Sequence, residues 1–163
     1  MARFHNVYGP HGTWDGGREK APAALCRKVI EAKDSGRKEI TIWGDGTQTR
    51  SFIYIDDCIK GIDLIMHFEN LVATPINLGS SELVSIRDLV SIAESIGGVK
   101  LKRTYDLEAP KGVAGRNSDN TMIYALLGWE PDTPLREGLK LTYAWIEQQY
   151  RDRKAGKRTV KDE

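Results

Sequence analysis

Polar side chains suited to an anionic or sugar ligand fall in four short stretches of this chain. Asn6 stands in Arg3-Phe4-His5-Asn6-Val7-Tyr8, just ahead of Gly9-Pro10. The run reads as a strand ending in a turn, and open α/β sheets make ligand contacts at the carboxyl ends of strands. An Asn amide both donates and accepts; the competing reading is an Asx-type turn. Lys20 lies in Arg18-Glu19-Lys20-Ala21-Pro22, where a glycine-rich stretch gives way to a helical pattern, and Lys28 follows two turns on. A helix N-terminus offers free N–H groups to an anion. Lys20 and Lys28 could therefore meet a diphosphate or move a proton; simple solvation is the other reading. A lysine at that end is electrostatically disfavoured, so something else must favour its position. Gln48 and Arg50, in Gly44-Asp45-Gly46-Thr47-Gln48-Thr49-Arg50-Ser51-Phe52, point the same way in an extended chain. A guanidinium suits phosphate or sugar oxygens, and the alternative for Arg50 is a surface ion pair. Arg116, in Gly112-Val113-Ala114-Gly115-Arg116-Asn117-Ser118-Asp119, is a second arginine beside glycine. Two arginines on separate loops could grip one diphosphate; one alone would mean little.

Other chemistries find less support. His5, His11 and His67 have no metal-ligand spacing, and no nucleophile elbow or Walker A pattern is present. Tyr150-Arg151-Asp152-Arg153-Lys154 fits Tyr-x-x-x-Lys but lies on a charged tail with no cofactor strand beside it, and reads as accidental. Cys26 and Cys58 are too few for a disulfide scaffold and read as buried structural residues, with a reducing cytoplasm as the default setting. The 24 basic and 23 acidic residues leave a net charge of +1, which argues against a nucleic-acid partner. No apolar run approaches the roughly 18 residues of a membrane span, and Met1-Ala2-Arg3-Phe4 lacks a signal-peptide core.

The elements that must carry these side chains follow from periodicity and punctuation. With 163 residues, 40% hydrophobic and 29% charged, the chain suits one ordinary α/β domain. Gly9, Gly12, Gly16 and Gly17 mark a long irregular loop. A helix over Ala21–Ser35 follows, with Pro22 in its first turn and Gly36 past its end. Ile40–Trp43 and Arg50–Ile55 read as strands, and Asp56 is expected to cap a helix whose inner face is Ile59, Ile62, Ile65 and Met66. Pro75–Gly79 is a short buried strand. Ser85 to Asp88 forms a capping box with Asp in place of Glu, opening a helix with Ile86, Leu89, Val90, Ala93 and Ile96 inward. Lys100–Thr104 is a weak strand. Asp119 or Asn120 caps a short helix to Leu127. Thr133 as N-cap and Pro134 at the first position open the last helix, with Leu135, Leu139, Thr142, Trp145, Ile146 and Gln149 inward. Residues 151–163 read as a frayed, charged tail behind a domain of residues 1–150.

Taken together, the segments resemble the carboxyl-terminal part of extended short-chain dehydrogenase/reductases that act on nucleotide sugars. Arg3 to Pro10 is similar to the strand after that family's Tyr-x-x-x-Lys helix, and Gly44 to Asp57 to its Gly-x-Gly-x-Gln-x-Arg-x-Phe-x-x-x-x-Asp signature. Gly12 to Ala24 and Gly115 to Asn120 resemble the branch that epimerises a GDP-hexose at C3 and C5. The resemblance implies a Rossmann-type α/β fold, here mainly the substrate-binding subdomain with a few elements of the cofactor sheet. It implies a GDP-sugar as partner and NAD as cofactor, and strands parted from their neighbours in the parent fold are expected to associate, giving a homo-oligomer. Asn6 resembles a hexose contact; Glu19, Lys20 and Ala21 resemble a substrate-binding run, with Lys20 as the acid/base partner of a cysteine. Lys28 resembles a further substrate contact, Gln48, Thr49 and Arg50 residues around the nucleotide and diphosphate, and Arg116 a diphosphate arginine. The implied reaction oxidises C4, moves the acidified C3 and C5 protons, and reduces C4 again. Ala114 stands where an arginine is expected. The dinucleotide fingerprint, the catalytic Tyr-x-x-x-Lys and the catalytic cysteine are expected upstream of Met1, so that the chain alone binds no NAD tightly and does not turn over. Another nucleotide-sugar epimerase or 4,6-dehydratase, or a non-catalytic nucleotide-sugar-binding module, are the other readings.

Overall fold

The structure, a computed structural model, describes residues 1–69, 73–110, 112–157 and 159. In chain order the elements are β1 (Ala2–Phe4), β2 (Asn6–Tyr8), α1 (Ala21–Ser35), β3 (Glu39–Trp43), β4 (Thr49–Arg50), β5 (Phe52–Tyr54), α2 (Ile55–His67), β6 (Ile76–Leu78), β7 (Val84–Ser85), α3 (Ile86–Gly97), β8 (Lys102–Asp106), β9 (Gly115–Arg116), α4 (Thr121–Leu127) and α5 (Leu135–Lys154). The α/β class expected from the sequence is the one observed.

The first extended run is broken at His5, and the break lets it serve two partners. β1 pairs in parallel with β6, and β2 in parallel with β5. The Thr49–Ile55 stretch divides in the same way. β4 sits between β7, antiparallel, and β9, parallel, while β5 stays with β2. β3 and β8 form a further parallel pair; β8 begins two residues beyond the expected Lys100. Along β3, Ile40 and Ile42 are buried while Glu39, Thr41 and Trp43 face outward, the period-two pattern of a sheet covered on one side.

Helices α1, α3 and α5 pack together over the main core, where Cys26, Val29, Leu89, Val90, Ala93, Leu139 and Ile146 are fully buried. Each such aliphatic side chain contributes about 1.5–3 kcal/mol through burial. A second cluster gathers Ile53, Cys58, Ile76, Leu78 and Ile123, with Ile62, Ile65 and Trp129 against it. Local signals set the ends of α1 and α3. Gly36 (φ 69°) and Gly98 (φ 67°) adopt the left-handed conformation that terminates each helix. Ser85 Oγ accepts from the Asp88 N–H at 3.1 Å, the N-cap bond expected, while the Asp88 carboxylate meets the Ser85 hydroxyl at 2.6 Å where a full capping box would have it accept from the Ser85 N–H.

The structure corrects three expectations. α2 begins at Ile55 with Tyr54 as N-cap, so Asp56 lies in the first turn instead of capping it. The buried face of α2 is Asp57, Cys58 and Gly61; Ile59 and Met66 are exposed. Gly61 decides this, because a Cβ there would collide with the Leu78 side chain, and close approach of backbone to Leu78 turns the helix. α5 starts at Leu135, after Pro134 as N-cap. Its free N–H at Leu135 donates to Glu82 at 2.9 Å, and the Thr133 N–H donates to the buried Asp57 carboxylate at 2.9 Å. The distant Glu82 carboxylate thus does what a Thr133 hydroxyl was expected to do, and Asp57 anchors the residue ahead of the helix.

The expected inner stripe of α5 holds at Leu135, Leu139, Thr142 and Ile146, joined by Gly138 and Tyr143. α5 then continues to Lys154, so its charged end is ordered as far as that residue. Tyr150 Oη and Lys154 Nζ reach Asp34 at 3.0 and 2.7 Å, and Arg153 reaches Asp15 at 2.8 Å. The Tyr150-x-x-x-Lys154 spacing therefore serves a structural contact with the end of α1. Most of the charged tail beyond Lys157 lies outside the described residues. No helix among the described residues is long and apolar enough to cross a membrane.

Candidate functional site

A cleft of about 460 Å³ opens where the glycine-rich loop meets the start of α1, β3 and the β3–β4 turn. Asp15, Gly16, Gly17 and Glu19 wall one side, and Ala21, Ala24, Leu25, Arg27 and Lys28 present the first turns of α1. Thr41, Ile42, Trp43 and Gln48 form the opposite wall, closed by Ile86 and Pro110. Of the residues singled out in the sequence, Glu19, Ala21, Lys28 and Gln48 line this cleft.

Its shape depends on Arg27. This guanidinium donates to the Trp14 carbonyl at 3.2 Å, to Glu19 at 2.9 Å and to Glu31 at 3.0 Å, and lies 3.5 Å from Asp15. The loop is thereby fastened to α1. Burial alone would raise the Glu19 carboxyl, but hydrogen bonds from its own N–H, from Arg27 and from the Gly17 N–H hold it below the ordinary carboxylate value. Lys28 donates to the Thr41 carbonyl at 3.0 Å and stands 5.9 Å from the Trp43 ring centre. Burial first, then the neighbouring Arg27, push its amine below the ordinary lysine value. The Gln48 side chain donates to the Trp43 carbonyl at 3.0 Å, and its Oε1 is buried with no hydrogen-bond partner among the described residues. Lys20 is the N-cap of α1, exposed between two cleft residues.

Asn6, Lys20, Thr49, Arg50 and Arg116 do not line the cleft; the strand leaving it connects to most of them. Gln48 is followed directly by Thr49 and Arg50 in β4, and Arg50 is the register partner of Arg116 in β9. The two strands approach closely. A Cβ on Gly115 would lie 2.8 Å from Thr49 Oγ1, and one on Gly112 3.3 Å from Arg50 Nη2. Arg50 itself donates to the Thr49 carbonyl at 2.7 Å. The next residue, Ser51, accepts from the Asn6 amide at 3.3 Å. His5, beside Asn6, is held below the ordinary histidine value by burial and by the charge of Arg116. Cleft, arginine pair and Asn6 thus follow one another along residues 48–51.

Charge distinguishes the two regions. In the cleft Arg27 faces Asp15, Glu19 and Glu31, so its charge is already met. The arrangement suits a neutral polar or aromatic group, with Trp43, 57% exposed, as a flat wall. Arg50 and Arg116 stand opposite each other on neighbouring parallel strands, so the second region carries two cations at one register position.

Neither junction that follows β2 or β5 fits the pyrophosphate of NAD. The turn after β2 has Gly9, but a Cβ there would collide with the Ile55 side chain, so the space beside it belongs to α2 and not to a pyrophosphate. The β5–α2 junction has no glycine and carries Asp56 and Asp57 in its first turn, where a diphosphate would be repelled. Cys26 and Cys58 are buried free thiols, as expected; burial pushes Cys26 up to about 12 and raises Cys58.

Arg27, Asp15, Trp43 and Pro110 were not anticipated. Arg27 and Glu31 stand at i, i+4 spacing, and Trp43 falls on the outward phase of β3, so both carried a local signal.

Comparison with known proteins bears on the family of the chain. The NAD dependent epimerase/dehydratase family matches residues 1–79. GDP-mannose 3,5-epimerase from Arabidopsis thaliana is 46% identical over 155 residues, 95% of this chain and 39% of that protein. UDP-glucuronic acid 4-epimerase from Bacillus cereus, solved with NAD, superposes with a TM-score of 0.76 at 33% identity, over 92% of this chain and 43% of that one. UDP-glucose 4-epimerase from Thermotoga maritima, solved with UDP-glucose, gives 0.80 at 28% identity, over 91% and 46%. The chain spans about two-fifths of the length of the curated epimerase it matches. Across that span the chain is a homologue of the GDP-mannose 3,5-epimerases, and its residues 1–79 match the NAD dependent epimerase/dehydratase family.

Proposed function

We propose that this chain is the nucleotide-sugar-binding part of a GDP-mannose 3,5-epimerase, the enzyme that converts GDP-mannose to GDP-L-galactose. In fold terms it is the substrate-binding subdomain with a few strands of the cofactor sheet. The observation that carries the reading is the path from Gln48 to Ser51, which leads from an aromatic-walled cleft past two adjacent arginines to Asn6. The cleft takes the guanosine against Trp43, with Glu19, Ala21, Lys28 and Gln48 around it; 460 Å³ is within the range of small-ligand sites. Thr49, Arg50 and Arg116 take the diphosphate, and Asn6 the hexose. In this arrangement Lys20, exposed between the cleft residues Glu19 and Ala21, stands at the guanosine end and not at the hexose, so no proton step is assigned to it. NAD serves the family, and hydride transfer is not assigned to any residue described here.

Titration calorimetry with GDP-mannose, GDP and UDP-glucose tests the reading. GDP and GDP-mannose should bind, UDP-glucose more weakly. Arg50→Ala and Arg116→Ala should each weaken GDP-mannose by about 10- to 100-fold, the worth of a charged hydrogen bond. Absence of GDP-mannose binding would refute it. Equal binding of UDP-glucose would favour another nucleotide-sugar epimerase, a reading supported by the likeness to UDP-sugar 4-epimerases.

A further inference from the structure

We propose that Arg153, in the last turn of α5, is a positioning residue for the cleft, holding the glycine-rich loop against α1 in its ligand-ready form. The inference rests on the reading of the cleft as a nucleotide-sugar site. Gly16 (φ 100°) and Gly17 (φ 87°) have no Cβ to restrict them, so their order must come from contacts. Each backbone N–H is held by a carboxylate: Gly16 donates to Asp15 Oδ1 and Gly17 to Glu19 Oε2, both at 2.7 Å. Each carboxylate is in turn held by an arginine. Arg27 on α1 holds Glu19, and Arg153 on α5 reaches Asp15 Oδ2 at 2.8 Å. Arg153 also lies over the Trp14 ring, its guanidinium carbon 4.1 Å from the ring centre, and Trp14 is 2% exposed. A second contact of the same loop with α5, His11 on Trp145 at 5.4 Å, stands nearer the middle of the helix.

The loop is therefore clamped between two helices, and the α5 half of the clamp comes from a residue 138 positions away from Asp15. Pairing of Tyr150 and Lys154 with Asp34 fixes the end of α5 on the end of α1, which keeps Arg153 within reach of the loop. Without Arg153, Asp15 keeps the Gly16 N–H and the longer Arg27 contact, but Trp14 loses its cover and the wall formed by Asp15, Gly16 and Gly17 is free to swing away from the cleft.

Amide hydrogen exchange of the intact chain, read for residues 11–19 and for α3, decides this without any ligand. Arg153→Met should speed exchange in the loop by about five- to tenfold, the worth of a partly exposed ion pair plus a stacked cation. Arg153→Lys, which keeps the charge, should restore much of the protection, and α3 should be unchanged throughout. Asp15→Asn, which leaves the cation on Trp14, should give part of the Arg153→Met effect, and the double variant should be no worse than Arg153→Met alone. GDP-mannose affinity should fall in step with loop protection. Unchanged loop exchange in Arg153→Met would overturn the proposal, as would equal acceleration in α3. If the unaltered chain fails to bind GDP-mannose, the functional reading falls and the exchange result still decides the clamp.

Discussion

Replacing Arg27 by methionine tests the electrostatics of the cleft most sharply. The side chain is 18% exposed and Glu19 only 6%, while Glu31 is 43% exposed. Removing the cation leaves Glu19 largely buried with only its own N–H and that of Gly17 for company. Breaking a fully buried pair costs about 3–5 kcal/mol; the partial exposure of Arg27 lowers that, and the exposed Glu31 contact adds only about 0.3–0.5 kcal/mol. A loss of about 2–3 kcal/mol at pH 7 follows, or a melting temperature lower by roughly 5–10 °C for a chain of this size.

The pH dependence gives the sharper signature. In the unaltered protein the Glu19 carboxyl is held below its ordinary value, so its stabilisation is complete above the unfolded value of about 4.3 and is lost as pH falls through the lower folded value. In Arg27→Met the cation is gone and burial dominates, so the carboxyl moves upward. The variant is then penalised at neutral pH and relieved as the group protonates. The gap between the two proteins should be widest near pH 7 and should narrow as pH falls toward about 4. Urea unfolding followed by tryptophan fluorescence at both pH values measures it. A gap that stays constant with pH, or one below about 1 kcal/mol at pH 7, would refute this account of Glu19 and Arg27.

Three further outcomes follow. Ser85→Ala should cost about 1 kcal/mol in chemical unfolding, and Ser85→Thr much less, because only the hydroxyl serves the α3 cap; equal losses would show that the cap is unimportant. Cys26, fully buried with its thiol pushed up to about 12, should react with a thiol reagent at pH 8 only as fast as the protein opens, so that urea speeds labelling in proportion to unfolding. Native labelling at the rate of a free cysteine would contradict its burial. The pairs β1–β6 and β2–β5 are only two strands wide, and open strand edges favour association; light scattering should find a homo-oligomer, and a monomer at high concentration would count against it.

Much of the architecture was legible because its signals act within a turn or two. Pro22 and Gly36 bracket α1, Ser85 and Asp88 begin α3, and the alternation of Ile40 and Ile42 marks β3. The polar residues of the site were legible by type, since Gln48 and Arg50 follow the Gly44-Asp45-Gly46 turn and Arg116 follows Gly115. Their arrangement was not. Whether Arg50 meets Arg116 depends on a parallel pairing between residues more than sixty positions apart. The cap of α5 comes from Glu82, the inner face of α2 from the fit of Gly61 against Leu78, and the ordered end of α5 from Asp15 and Asp34. Local propensity describes what a segment prefers alone. Contacts between segments distant in the chain depend on which surfaces the packed core brings within a few ångströms, and only the tertiary structure decides that.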